Sequence, residues 1–162
     1  MEKVFTGITQ IGIVTSDLEK MVKNYEKKLG IGPFQIVADG EKGIGAEATN
    51  VKVHGKPQDY KVRVACCKLG AVEIEIVQPL DEYSTYAEHL RKHGEGVINH
   101  IAIATEDKNA AFRKVMKANQ VESILKGDFD PKEGESFEYF ETGEMLGTQI
   151  ELHDPEPVPD EF

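Results

Sequence analysis

Apolar residues along this chain alternate with polar ones in short runs, and these runs are separated by stretches of helical spacing. Residues 8–17 read I-T-Q-I-G-I-V-T-S-D. The alternation predicts a strand with one covered face. Ser16-Asp17-Leu18-Glu19 follows as a capping box, the signature of a helix start. Leu18, Met21, Val22, Tyr25 and Leu29 then recur at helical spacing, and Gly30 supplies a stop. Strands are expected over residues 34–37, 51–53, 62–67 and 72–77, with Gly40, Gly43 and Gly45 marking turns. Residues 84–93 predict a helix with Tyr83, Tyr86 and Leu90 on its buried side. Beyond it, a helix opening at residues 105–107 places Ala111, Phe112, Val115 and Met116 on one face. Strands over 121–125, 137–140 and 149–152 complete the pattern.

The second half repeats the first. Residues 98–107 read I-N-H-I-A-I-A-T-E-D. Set against 8–17 without a gap, Ile8, Ile11, Ile13, Thr15 and Asp17 match Ile98, Ile101, Ile103, Thr105 and Asp107, and Gln10 falls opposite His100. Residues 74–79 (I-E-I-V-Q-P) likewise match 150–155 (I-E-L-H-D-P), which sets Glu75 opposite Glu151. A repeat of this length argues for one supersecondary unit used twice. The expected fold is α+β: two tandem βαβββ modules forming a curved, partly open eight-stranded sheet. Module one covers about residues 5–80, a linker helix about 83–94 and module two about 97–155, all in one domain spanning 1–162, with an acidic, proline-rich tail over 156–162.

Glu75 and Glu151 lie between apolar neighbours and so point away from them, and Gln10 and His100 lie between isoleucines at the adjacent positions or one removed. If the isoleucine face is covered, Gln10, Glu75, His100 and Glu151 share the other face and look into one cavity. Taken singly, a strand glutamate is ordinarily a solvent-facing residue, and a histidine among apolar neighbours is ordinarily a core residue. Recurrence at the same place in both modules is what ties the four together. His54, His89, His93 and His153 lack that relation and read as surface or structural.

Composition narrows the function. Acids outnumber bases by 29 to 19, a net charge of -10, which disfavours nucleic acid as a partner. No apolar run is long enough to span a bilayer, and the N-terminal residues show no apolar signal segment. The expected location is cytoplasmic. Cys66 and Cys67 are adjacent, cannot close an ordinary disulfide, and read as core thiols.

The segments Ile11-Gly12-Ile13, Ser16-Asp17-Leu18-Glu19, residues 29–34 (L-G-I-G-P-F), 73–80 (E-I-E-I-V-Q-P-L) and 94–102 (G-E-G-V-I-N-H-I-A) carry a resemblance. They resemble the vicinal oxygen chelate superfamily, which includes glyoxalase I, methylmalonyl-CoA epimerase, extradiol dioxygenases and bleomycin-resistance proteins. The closest look is to the methylmalonyl-CoA epimerase-like branch. The resemblance implies one divalent metal (Co, Ni, Mn or Zn) on Gln10, Glu75, His100 and Glu151, and a homodimer. Two carboxylates, an imidazole and an amide oxygen also suit a six-coordinate ion better than a closed tetrahedral zinc site. Epimerases of the family often carry histidine where this chain has Gln10.

The implied activity is that of an epimerase or racemase, moving a proton at the carbon next to a carbonyl of a small-molecule substrate. Glu151 is the first choice of base and Glu75 the second; Glu141, Lys61 and Tyr139 are further candidates. Lys56, Lys61 and Arg63 form the one nearby basic cluster for a CoA tail. The alternatives are a glyoxalase I-like lyase acting on a hemithioacetal, a racemase of a non-CoA ketone such as an isoflavanone, and a non-catalytic binding protein. The lyase loses ground at Val14, Pro79 and Gly96, where glutathione-holding side chains would be expected.

Overall fold

A computed structural model describes residues 4–40, 44–45, 48–130 and 134–155. The proposed tail over 156–162 lies outside the described residues. Among the described residues eleven strands form one mixed sheet, where eight were expected. Module one contributes β1 (Gly7–Val14), β2 (Gln35–Asp39), β3 (Ile44–Gly45), β4 (Thr49–Val53), β5 (Lys56–Pro57), β6 (Val62–Leu69) and β7 (Val72–Pro79). Module two contributes β8 (Val97–Ala104), β9 (Ser123–Asp130), β10 (Glu135–Phe140) and β11 (Gln149–Asp154). The spatial order is β3-β2-β6-β7-β1-β8-β11-β10-β9-β4-β5. Its inner eight positions mirror one another: β2-β6-β7-β1 in one half, β9-β10-β11-β8 in the other. Each half pairs its first and last strands in parallel, β1 with β7 and β8 with β11, and the halves join antiparallel along β1 and β8.

The three additional strands come from the segment that links β2 to β6. β3 extends the edge at β2, whereas β4 pairs with β9 at the opposite edge. Only four residue steps separate Gly45 from Thr49, a reach of at most about 14 Å. The sheet therefore curls until its two edges nearly meet, and module one supplies the strand that extends the far edge of module two.

Alternation sorts the side chains onto two faces. On the outer face, α1 (Leu18–Lys23) buries Leu18 against Ala65 and Ile76. On the same face, α3 (Asn109–Ala118) sets Phe112 against Ile103, Phe140, Ile150 and Leu152. Val14, Val64, Val77, Leu125 and Tyr139 belong to the inner core, joined by Val51 and Val53 of β4 and by Tyr86 of α2 (Thr85–His93). Ser84 caps α2, accepting from the Ala87 amide. No helix among the described residues is long and apolar enough to cross a membrane.

Leu29 departs from the sequence reading. It is 67% exposed, although its spacing assigned it to the buried face. Residues Asn24–Lys28 form a π-helical turn, which breaks the 3.6-residue phase and swings Leu29 off the core. Gly30 still ends the helix, with φ +68 and its amide on the Glu26 carbonyl. Leu18→Ala, at a fully buried site, should cost about 2–5 kcal/mol, as core truncations do. Leu29→Ala should stay within about 0.5 kcal/mol of the parent. Chemical denaturation of both variants checks the pair, and equal losses would contradict the assigned packing.

Candidate functional site

β1, β7, β8 and β11 lie side by side at the middle of the sheet, and each places one of the four sequence-predicted residues on the inner face. Their donors meet at one atom. Nε2 of His100 lies 3.3 Å from Gln10 Oε1, 3.2 Å from Glu75 Oε2 and 3.3 Å from Glu151 Oε2. His100 is 0% and Glu151 2% exposed, while the Glu75 side chain keeps 16%. Solvent thus reaches the cluster along Glu75.

The backbone that aims these groups is irregular at matching places. In β1 the pairing passes from Ile8↔Ile103 to Gln10↔Ala102, which leaves Thr9 as an extra residue. In β8 it passes from Gly12↔His100 to Ile13↔Ile98, which leaves Asn99 extra. The internal repeat aligns Thr9 with Asn99. Each ligand strand therefore carries a bulge one residue before its ligand, and a bulge re-aims the neighbouring side chain. In β8 this brings Asn99 Oδ1 to 3.0 Å from His100 Nδ1. A carbonyl oxygen only accepts, so Nδ1 carries the proton and Nε2 is left to face the three oxygens.

Gly12, opposite His100 across the β1–β8 ladder, makes room for the ring. A Cβ at Gly12 would stand 1.8 Å from His100 Cε1. Gln10 is oriented by its amide nitrogen, which donates to Glu73 Oε1 at 2.8 Å, so its oxygen turns to the cluster. Glu151 Oε1 lies 3.0 Å from His153 Nε2. Tyr139 is its cross-strand neighbour on β10. Tyr86 in turn donates to the Tyr139 hydroxyl at 2.8 Å.

Electrostatics follow from this packing. Burial opposes charge on His100, but the carboxylates of Glu151 and Glu75 outweigh it and hold the imidazole pKa above its ordinary value. Burial alone would raise the Glu151 pKa, yet His153 and His100 pull it below the usual carboxylate value. Burial would lower His153, but the Glu151 carboxylate raises it to about 9. Burial and the nearby Glu75 and Glu73 carboxylates push the Cys66 thiol pKa up, which makes it a poor nucleophile.

The residues fit a divalent cation on two observations. Glu75 Oε2 and Glu151 Oε2 are buried without a hydrogen-bond partner, and both are the oxygens turned to His100 Nε2. Ligands of one ion at bonds of about 2.0–2.2 Å stand about 3 Å apart, close to the separations found. Among the described residues no three His, Cys, Asp or Glu side chains surround a preformed metal position. The donors meet pairwise at Nε2, so loading would spread them around the ion and displace any proton shared there.

His153 and Glu73 belong to this site and were missed in the sequence. His153 had been read as structural, but Glu151-Leu152-His153 sets two side chains two apart on one strand face, and that spacing was the available signal. Glu73 precedes Glu75 by the same interval. Arg63 corrects a second reading. It is buried on β6, paired with Asp39 and Glu19, and unavailable to a phosphate tail. Lys61 and Glu141 are exposed, and Glu141 accepts from the Gly143 amide.

Gly12→Ala should drive the His100 ring out of place, weaken cobalt binding by about tenfold or more, and destabilise the fold by about 1–3 kcal/mol. Calorimetric titration and thermal unfolding measure the two effects. Parent-like behaviour in both would mean that the ring does not lie over Gly12.

The solved structures most like this chain include a methylmalonyl-CoA epimerase in complex with methylmalonyl-CoA and NH4+. It has a TM-score of 0.64 and 24% identity over 92% of this chain and 94% of that one. A methylmalonyl-CoA epimerase from Mycobacterium tuberculosis matches with a TM-score of 0.65 and 23% identity over 98% and 93%. A hypothetical protein from Bacillus halodurans C-125 matches with 0.59 and 21% over 96% of each chain. At these identities the likeness is one of fold. No curated protein sequence matches the chain. The family model for the glyoxalase/bleomycin resistance protein/dioxygenase superfamily matches residues 9–140, most of the chain and three of the four clustered residues, and the chain belongs to that superfamily.

Proposed function

We propose that this protein is a metal-dependent isomerase, an epimerase or racemase that moves a proton at the carbon next to a carbonyl. The observation that carries the reading is the convergence of Gln10, Glu75 and Glu151 oxygens on one imidazole nitrogen, with two of those oxygens buried and unpartnered. Gln10, Glu75, His100 and Glu151 would hold the ion. A bound divalent cation of the Co, Ni, Mn or Zn kind would polarise a substrate carbonyl and stabilise the negative charge that develops as the adjacent C–H loses its proton.

The protein's own groups supply the proton transfer. Glu75 on β7 and Glu151 on β11 stand on opposite sides of the central β1–β8 pair. A planar carbon held between them can lose a proton to one carboxylate and regain one from the other face, which is what inversion requires. Glu151 is the first candidate base, because His153 beside it favours its ionised form. The buried Tyr139 hydroxyl can steady the carboxylate before and after it takes the proton. Methylmalonyl-CoA, the ligand named for one fold neighbour, is the first substrate to try. Homodimer assembly and a cytoplasmic location are part of the proposal and rest on the family resemblance and on composition.

The test is solvent proton exchange. Cobalt-loaded protein in deuterated water should deuterate C2 of methylmalonyl-CoA and invert it, and Glu151→Gln should slow exchange by about 100-fold or more. Exchange on no CoA thioester, hemithioacetal or isoflavanone, with the metal bound, would reject the isomerase reading. Full exchange in the Glu151→Gln variant would remove Glu151 as the base.

A further inference from the structure

A second pair of imidazoles lies on α2, apart from the four-residue cluster. His89 and His93 are one turn apart, the i, i+4 spacing that places two side chains on one helix face. Their ring centroids are 4.6 Å apart. The Val97 backbone lies close enough to the His89 ring to favour its charged form, while His89 Nε2 is buried and has no hydrogen-bond partner. A neutral imidazole keeps a lone pair on one of its two ring nitrogens.

We infer that His89 and His93 form a second metal site, for a divalent ion that favours imidazole, such as nickel, copper or zinc. Several features support it. Burial, with His93 beside it, lowers the His89 pKa to about 4, so the ring is neutral and free to bind at physiological pH. The unpartnered Nε2 is a loss that a ligated ion would recover. His93 is exposed, so water can complete the coordination. His54, the other histidine near this helix, is engaged by Glu88 at 2.9 Å and leaves the pair to act alone. The site is open and rests on two nitrogens. With one ligand exposed and two nitrogens in all, it should hold its ion less tightly than the oxygen-rich cluster. Its placement also matters: α2 joins the two modules and carries Tyr86, whose hydroxyl reaches Tyr139, the cross-strand neighbour of Glu151. An ion clipped across the last turns of α2 would stiffen the element that positions that chain.

Nickel titration of the full chain, followed by calorimetry, tests the inference. The parent should bind two ions, and His93→Ala, at an exposed position, should weaken one of them by roughly tenfold or more, because a two-point chelate becomes one-point, and leave the other unchanged. His89→Ala should do the same. If the parent binds one ion and His93→Ala loses it, the pair is a site and the central cluster is not. If His93→Ala binds as many ions as the parent with the same affinities, or the parent binds none, the inference is overturned.

Discussion

Nε2 of His100 sits buried with three oxygens around it and at most one proton to offer them. Two of those oxygens belong to carboxylates, and burying even one unpaired carboxylate costs several kcal/mol. With the imidazole protonated and His153 paired to Glu151 Oε1, one shared proton would still have to serve Glu75 Oε2, Glu151 Oε2 and Gln10 Oε1. A divalent cation bound by neutral His100 balances both carboxylates and satisfies the orphaned oxygens together. Much of the surrounding structure serves that point. Asn99 fixes which nitrogen faces inward, Gly12 leaves space for the ring, and Glu73 and His153 orient the Gln10 and Glu151 side chains.

The two modules reach this point by the same backbone device and different side chains. Both first strands bulge one residue before the ligand. In module two the bulge residue is Asn99, which grips His100; in module one it is Thr9, whose hydroxyl is buried without a partner. Val77 holds the place in module one that His153 holds in module two, and Glu73 the place of Gln149. One end of the inner face is consequently apolar, closed by Val14, Val77 and Tyr86, while the other carries His153 beside Glu151. This asymmetry lets two carboxylates in equivalent positions differ, with Glu151 buried and clamped and Glu75 partly open to solvent.

What was readable in the sequence was what repeats. The Gln10–His100 and Glu75–Glu151 correspondences located both central strand pairs and the four residues that the structure brings together. The capping box set the cap one residue early: Asp17, not Ser16, accepts from the Lys20 amide, and Glu95 rather than Glu19 holds the Ser16 amide. The Gly30 stop was readable because it is local. The π-helical turn before Leu29 was not, since a single inserted residue of phase leaves no mark in apolar spacing. Nor was the crossing of β4 to β9, because strand pairing between modules is non-local and residues 51–53 read equally well as part of module one. Tyr86 was visible as a buried residue and Tyr139 as a candidate base, but their hydrogen bond depends on a helix and a strand meeting across the inner face. Arg63 looked like a phosphate contact by nearness in sequence, and strand alternation turned it to the outer face.

The central claim is that one imidazole and three oxygens bind a single ion. X-ray absorption at the cobalt edge, on protein loaded with less than one equivalent, tests it directly. The account requires a first shell of light atoms with a single imidazole and no sulfur. A sulfur scatterer would place Cys66 or Cys67 on the ion, and two or more imidazoles would move it to other histidines; either result would contradict the site described.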